Sequence, residues 1–172
     1  MSGPGEAARR RAGRVIVIDS RGRVLLLHGF DPARRGEPYW ITVGGGARQG
    51  ETLAEAAARE LREETGIAAA PAELGEPVWR DVAEFSFDGT SYRQEQDYFA
   101  LLTADPEVSL DGLADEEATV VDGFRWWTAA ELEATAERYY PAELPRLLAS
   151  LLAGGTASGG TASGGTGSGG TV

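Results

Sequence analysis

The feature that most constrains this sequence is a glycine-rich loop followed directly by a helix with many carboxylates, within residues 44–67. Residues 52–65 are predicted to be helical because alanine, leucine, glutamate and arginine, all strong helix formers, dominate the segment. Thr52 and Glu55 have the Thr-x-x-Glu spacing of a capping box, and Gly66 stands where a left-handed C-terminal cap belongs. The sequence therefore predicts a helix whose two ends are fixed.

Three glutamates of this helix, Glu60, Glu63 and Glu64, are predicted to share one face, because residues three and four apart are helix neighbours. Like charges on one face repel one another unless cations lie among them, and hard divalent ions such as Mg²⁺ bind oxygen ligands of this kind. For the glutamates taken alone, the alternative is a solvated acidic face neutralised by Arg59 and Arg62.

The wider spacing decides between these interpretations. Gly45 is followed after five residues by Glu51, and after seven more by the run Arg59-Glu60-Leu61-Arg62-Glu63-Glu64-Thr65-Gly66-Ile67. Residues 45–67 thus resemble the complete Nudix box of the Nudix hydrolase family, with nine specified positions in 23 residues. Such a pattern is far more specific than a lone glycine motif. The box does not identify a subfamily.

The resemblance implies a fold and a set of site residues. The expected fold class is α/β (α+β), a Nudix-like α/β/α sandwich with a mixed β-sheet. Positions that ligate a divalent metal in the family, Mg²⁺ with Mn²⁺ as a possible substitute, are matched by Glu60, Glu63, Glu64 and the main-chain carbonyl of Gly44. Positions that support the site structurally are matched by Gly45, Glu51, Arg59 and Gly66. The family often has Pro-Gly before the first box glycine, whereas this chain has Val43-Gly44, which leaves the loop less rigid.

Members of the family differ in the glutamate that takes a proton from the attacking water. Some use the residue that matches Glu60, and others use an acid from a later loop, where this chain offers Glu116 and Glu117. Glu117 is preferred by its spacing to the strand containing Arg125-Trp126-Trp127, and a solvated loop acid is the alternative interpretation. The predicted catalytic set is Glu60, Glu63 and Glu117.

The implied activity is Mg²⁺-dependent hydrolysis of a pyrophosphate bond in a nucleoside diphosphate linked to another moiety, by attack of water at phosphorus. A non-catalytic nucleotide-sensing Nudix module is the alternative, although such modules typically lose box acids and this chain has them all. Substrate choice lies outside the box. Arg34, Trp40 and Arg93 are candidate substrate-binding residues, because guanidinium groups suit phosphates and an indole can stack on a base.

Composition narrows the partners. The net charge of -11 disfavours a nucleic-acid polymer, including triphosphorylated RNA ends, and leaves a small nucleotide as the expected substrate. The lack of cysteine excludes disulfides and a thiol nucleophile, and the single histidine, His28, excludes a multi-histidine metal site. No apolar run approaches the ~20 residues of a membrane span, so a membrane partner is not expected. No signal-peptide core follows the N-terminal arginines, which favours a cytoplasmic location. A homodimer is possible, since dimers are common in the family.

The remaining chain alternates strand-like and helix-like segments. Hydrophobic runs predict strands over residues 14–19, 24–28, 39–43, 76–87, 91–102 and 124–127, with Asp88-Gly89 at a hairpin turn. Further helices are predicted from Ala129, capped by Thr128, and over residues 141–152. We expect a flexible N-terminal arm at residues 1–12, a Nudix domain at 13–153 and a disordered Gly/Ser/Thr/Ala-rich tail at 154–172.

Overall fold

The computed structural model describes residues 5–154, which contain seven strands, four α-helices and two short 3₁₀ helices. The strands are β1 (Ala8–Ile18), β2 (Val24–Gly29), β3 (Tyr39–Gly46), β4 (Trp79–Phe87), β5 (Thr90–Leu102), β6 (Val121–Trp127) and β7 (Tyr139–Tyr140). The helices are α1 (Leu53–Thr65), α2 (Asp115–Ala118), α3 (Ala129–Ala134) and α4 (Leu144–Leu152), and the 3₁₀ helices are Pro32–Arg34 and Pro71–Leu74. Within this range no helix combines the length and the apolar character that crossing a membrane requires.

The strands form one mixed sheet. β1 pairs in parallel with β5 along its whole length and antiparallel with the C-terminal half of β3. β2 lies between the N-terminal half of β3 and β6, antiparallel to both. β7 adds a short parallel pairing to β3, and β4 pairs antiparallel with β5.

Both faces of the sheet are covered by helices, so the architecture is the expected α/β/α sandwich. Val15 and Val17 of β1 pack with Leu61 of α1 on one face. The alternate residues Ile16 and Ile18 pack with Leu148 of α4 on the other. Burial on both faces explains why residues 15–18 of β1 and most of β2 are continuous hydrophobic runs instead of alternating polar and apolar residues.

A glycine in β1 allows α1 to lie directly against the sheet. A Cβ atom at Gly13 would lie 2.1 Å from the main-chain oxygen of Leu53 and 3.0 Å from the Cβ of Ala57. Only a residue without a side chain permits this approach. The close contact fixes the position of α1, and with it the glutamates of its second half, relative to the end of β3.

The local signals of the sequence are found where they were expected. The capping box of Thr52 and Glu55 is formed in both directions, and Gly66 ends α1 in the left-handed conformation, with φ 76°. Asp88 and Gly89 have φ values of 47° and 79° between β4 and β5. Positive values at both central residues are typical of the two-residue type I′ hairpin turn.

The boundaries differ at several places. Residues 8–12 were expected in a flexible arm, but they belong to β1, because Ala8 to Ala12 pair with consecutive residues of β5. Parallel pairing with a distant strand outweighs the arginine- and alanine-rich composition of this segment. The short elements α2 and β7 were not predicted. The tail expected at 154–172 lies outside the described residues except for Gly154.

The packing at Gly13 gives a stability prediction. Gly13→Ala should lower the free energy of unfolding by about 1–3 kcal/mol, the usual cost of overpacking, because its Cβ meets helix backbone that cannot move alone. Gly36→Ala is the matched control, since a Cβ at Gly36 has nothing within 4 Å. Urea unfolding of both variants measures the difference. Equal stability of the two variants would show that α1 does not depend on this contact.

Candidate active site

Three carboxylates from two helices converge at one point. Glu60 and Glu64, from the second half of α1, are buried, with 6% and 9% of their surface exposed. Glu117 comes from α2. One carboxylate oxygen from each of these residues lies within 4.8 Å of the other two. Oxygen-only clusters of this kind are suited to a hard divalent cation.

The loop before α2 brings Glu117 to α1. A Cβ at Gly112 would lie 2.8 Å from the main-chain oxygen of Glu63, so this loop contacts the backbone of α1 directly. Of the two neighbouring acids proposed from sequence, Glu117 faces the cluster, whereas Glu116 is exposed to solvent. The spacing along the chain could not separate the two, because it does not fix the direction in which a single turn of helix faces.

The glycine loop between β3 and α1 contacts both buried acids of α1. The main-chain N–H of Gly44 donates to Oε2 of Glu64 at 3.1 Å. A Cβ at Gly45 would lie 2.6 Å from Oε1 of Glu60, so this position admits only glycine without displacing the carboxylate. The loop therefore holds the acid cluster through main-chain atoms.

Arg59 connects the loop, the helix and the acids. Its Nε and Nη2 donate to the two carboxylate oxygens of Glu51 at 2.7 and 2.9 Å, and Nη2 also donates to the carbonyl of Gly46 at 3.1 Å. Its Nη1 donates to Glu60 Oε1 at 3.1 Å and to Glu63 Oε2 at 3.3 Å. The bidentate hydrogen bonds from Arg59 lower the pKa of Glu51 to about 2. Glu51 therefore stays ionised and fixes Arg59 across the mouth of the site.

The electrostatics of the acids indicate a missing positive partner. Burial and the neighbouring charge of Glu60 raise the pKa of Glu64 well above its ordinary value. The same two causes raise the pKa of Glu117. Oε2 of Glu60 and Oε2 of Glu117 are buried without a hydrogen-bond partner among residues 5–154. Buried carboxylates are normally paired or bound to metal, so this donor set fits a divalent cation.

Glu63 and Gly44 occupy different positions from the three converging acids. The Glu63 side chain is 37% exposed, and its Oε1 lies 3.7 Å from Nη2 of Arg48 while Oε2 accepts from Arg59. It borders the same cleft but is not one of the three converging acids. The carbonyl of Gly44, a predicted ligand, accepts a hydrogen bond from Arg14 Nη1 at 3.2 Å. Both residues therefore stay predicted ligands.

An open cleft of about 320 Å³ lies beside the acids. Its lining combines carboxylates with two guanidinium groups and consists of Gly46, Arg48, Arg59, Glu60, Glu63, Gly112, Ala114 and Glu117. Sequence reasoning did not single out Arg48. Its place between Gly45 and Glu51, in the loop that borders the box helix, was the available signal. Arg48 is 67% exposed, which leaves its guanidinium accessible to a ligand.

The three candidate substrate-binding residues, Arg34, Trp40 and Arg93, do not line this cleft, and their role stays a prediction. Arg34 is exposed in the Pro32–Arg34 3₁₀ helix, and Arg93 forms an ion pair with Glu84 at 2.7 Å. Trp40 packs against the rings of His28 and Trp127, with centroids 4.6 and 5.2 Å away. The Trp40 ring thus contributes to side-chain packing.

Arg14 holds the glycine loop from the side opposite Glu64. Its Nη1 donates to the carbonyls of Thr42 and Gly44 at 3.1 and 3.2 Å, and its Nε donates to Gln96 at 3.4 Å. Gly44 is thereby fixed through both its N–H and its C=O. These contacts restrain a loop that lacks the proline often found before the first box glycine.

Comparison with known proteins places this geometry in a family. A model of the NUDIX domain matches residues 8–148. The match begins at the start of β1 and ends within α4, so it spans every strand of the sheet.

Solved structures share the fold at low sequence identity. The MutT protein from Methanosarcina mazei Go1 has a TM-score of 0.64 and 19% identity, over 87% of this chain and 96% of that one. A C. elegans Ap4A hydrolase binary complex has a TM-score of 0.57 and 18% identity, over 84% and 98%. A bifunctional NMN adenylyltransferase/ADP ribose pyrophosphatase from Francisella tularensis, complexed with AMP and a Mn ion, has a TM-score of 0.59 and 18% identity. This match covers 88% of this chain and 43% of that one.

The repulsion among the acids predicts how Glu64→Gln changes stability in metal-free protein. At neutral pH the variant should be more stable, because glutamine carries no charge and keeps an acceptor for the N–H of Gly44. Below the ordinary glutamate value of 4.5 the difference should vanish, since residue 64 is then uncharged in the folded and the unfolded parent. As pH rises through that value, the Glu64 carboxyl ionises in the unfolded parent, while its raised pKa disfavours ionisation in the folded parent. The free energy of unfolding of the parent therefore falls.

Urea unfolding in the presence of a chelator, from acidic to neutral pH, measures this difference. A variant that is less stable than the parent at neutral pH, or a difference that does not change with pH, would contradict the proposed repulsion.

The contacts of Arg14 give a second prediction. Arg14→Met should lower the free energy of unfolding by about 1–3 kcal/mol, because the carbonyls of Thr42 and Gly44 lose their donor. Arg138→Met is the control, since within residues 5–154 the Arg138 side chain forms only an exposed ion pair, with Glu37, and its loss should cost within about 0.5 kcal/mol. Chemical denaturation compares the two, and similar costs would mean that Arg14 does not restrain the loop.

Proposed function

The chain belongs to the NUDIX family, and we propose that it uses Mg²⁺ to hydrolyse a pyrophosphate bond in a small nucleotide or nucleotide derivative. As a Nudix hydrolase it is an enzyme that acts on pyrophosphate bonds. The proposed substrate class is a nucleoside diphosphate linked to another moiety. The proposal rests on the convergence of Glu60, Glu64 and Glu117 beside a cleft that is lined by Glu60, Glu117 and two arginines.

The acid cluster supports a role for divalent metal. Glu60 and Glu64, together with the predicted ligands Glu63 and the carbonyl of Gly44, would hold Mg²⁺ or, as a substitute, Mn²⁺. A bound divalent cation neutralises charge on the phosphate oxygens and on the leaving group. The bifunctional protein from Francisella tularensis, 43% of which is covered by this chain, was crystallised with AMP and a Mn ion.

Glu117 is the better placed of the two candidate bases. Oε1 of Glu60 already accepts a hydrogen bond from Arg59 Nη1 at 3.1 Å. Oε2 has no hydrogen-bond partner among the described residues in either glutamate, and both glutamates line the cleft, but of the two only Glu60 also accepts from Arg59. We therefore assign Glu117 to accept the proton of the attacking water. A general base must lie within hydrogen-bond reach of the water that it deprotonates.

The arginines of the cleft support binding of phosphates. Glu51 fixes Arg59 through hydrogen bonds. Arg48 is exposed and lies in the loop between β3 and α1, which also contains Glu51. Guanidinium groups bind phosphate oxygens through two parallel hydrogen bonds. The cleft volume of about 320 Å³ suits a small ligand, and the net charge of -11 disfavours a polymer.

A substrate panel with Mg²⁺ or Mn²⁺ tests the proposal. The panel should contain nucleoside triphosphates, oxidised triphosphates, ADP-ribose, NADH, nucleotide sugars and dinucleoside polyphosphates. At least one should be cleaved at a pyrophosphate bond with multiple turnover, and cleavage should stop when the metal is chelated. Tight nucleotide binding without turnover in either metal would favour the alternative, a non-catalytic nucleotide-sensing module.

Two adjacent glutamates provide a matched pair of variants. Glu117→Gln should reduce kcat by about 10²–10⁴-fold, the usual contribution of a positioned general base. Glu116→Gln should leave kcat near the parent value, because Glu116 is exposed and outside the cluster. Steady-state kinetics measure kcat of both variants on whichever compound of the panel the parent cleaves. If Glu117→Gln keeps the parent kcat while Glu60→Gln loses it, the base is Glu60.

A further inference from the structure

β4 presents an unpaired edge of the sheet. Along residues 5–154 it pairs with β5 on one side, and no strand pairs with its other side. Edge strands expose main-chain donors and acceptors to other chains. Val82 and Phe85, two of the few large hydrophobic residues that are well exposed, lie on this strand, with 45% and 37% of their surface accessible.

The turn before β5 determines which residues of β4 face outward. In a two-residue hairpin the closing pair, here Phe87 and Thr90, is hydrogen-bonded across the strands. Every second residue before Phe87 therefore directs its N–H and C=O toward β5. The intervening residues Arg80, Val82 and Glu84 direct theirs to the open side.

We propose that a second copy of this chain pairs antiparallel with this edge, with a twofold axis at Val82. Val82 then lies opposite the partner's Val82, and Arg80 lies opposite the partner's Glu84. The twofold symmetry repeats this ion pair on the other side of the axis. Opposite charges that face each other across strands stabilise a sheet.

Neighbouring registers lack this complementarity. An axis at Asp81 places Asp81 opposite the partner's Asp81, an axis at Arg80 pairs two arginines, and an axis at Glu84 pairs two glutamates. An axis at Ala83 places Glu84 opposite the partner's Val82, so Glu84 meets no cation across the interface. Like charges directly opposite each other destabilise a sheet, so the charge pattern selects the register centred on Val82.

Residues of β5 extend the complementarity on one face of the sheet. Arg80 already pairs with Asp97 at 3.3 Å, and Arg93 pairs with Glu84 at 2.7 Å. In the proposed dimer the order across four strands is Asp97, Arg80, the partner's Glu84 and the partner's Arg93. Charges alternate along the whole row.

The opposite face offers a row of aromatic rings. Trp79 lies 5.0 Å from Tyr98, and Phe85 lies 5.5 Å from Tyr92, measured between ring centroids. The proposed register places Trp79 opposite the partner's Phe85. The row becomes Tyr98, Trp79, the partner's Phe85 and the partner's Tyr92, which covers the half-exposed Phe85. Cross-strand aromatic pairs add to sheet stability.

A single introduced cysteine tests the register, because the natural chain has none. In Val82→Cys the two cysteines face each other at a Cα separation of about 5.5 Å, which a disulfide can span. Ser86→Cys is the matched control on the same exposed edge. Its two copies would be roughly 27 Å apart, eight residues of extended chain, and should not react.

Oxidation of both variants, followed by non-reducing electrophoresis, should give a covalent dimer for Val82→Cys and a monomer for Ser86→Cys. Equal crosslinking of the two, preferential crosslinking of Ser86→Cys, or no crosslinking of Val82→Cys would overturn the proposal.

Val82→Lys provides a second test that does not depend on cysteine chemistry. Two lysines on the twofold axis repel each other, while the β4–β5 pairing of each chain is kept. Sedimentation of the full chain should give twice the mass of one chain for the parent and a single-chain mass for the variant. Unchanged unfolding of the variant at low concentration confirms that it folds. A parent that sediments as a monomer, or a variant that remains a dimer, contradicts this interface.

Discussion

Glu60 and Glu64 are buried beside Glu117, where each carboxylate has lost much of the hydration it would keep at a surface. A fold tolerates such a cluster only if protons, hydrogen-bond donors or a cation offset the repulsion. Neighbouring residues offset part of it, through the N–H of Gly44 at Glu64 and through Arg59 at Glu60. Two carboxylate oxygens keep no partner among the described residues, and this remaining imbalance favours a divalent cation.

The surrounding structure keeps the acids in place. Gly13 allows α1 to touch β1, and Gly45 leaves space for the carboxylate of Glu60. Arg59 and Arg14 hold the glycine loop from two sides, the first through Gly46 and Glu51 and the second through Gly44. Positioning by main-chain contacts and guanidinium forks keeps the ligands rigid before any cation or substrate binds, which reduces the cost of reorganisation during catalysis.

The sequence predicted those parts of the molecule that depend on local interactions. The ends of α1 follow from the capping box and Gly66, and the β4–β5 turn follows from Asp88-Gly89. Residues 8–12 were misassigned, because all of them pair with residues of β5, about 80 positions away in the sequence. The choice between Glu116 and Glu117, the place of Arg48 and the clamp formed by Arg14 depend on tertiary contacts that spacing does not encode.

The proposed function depends on the converging acids Glu60, Glu64 and Glu117 forming a divalent-cation site. Calorimetric titration of Mg²⁺ into the parent, Glu64→Gln and Glu116→Gln tests this claim directly. We expect Mg²⁺ to bind the parent and Glu116→Gln with similar affinity, because Glu116 lies outside the cluster. Glu64→Gln should bind at least about tenfold more weakly, since it loses an anionic ligand. Equal Mg²⁺ affinity in all three proteins would contradict the claim.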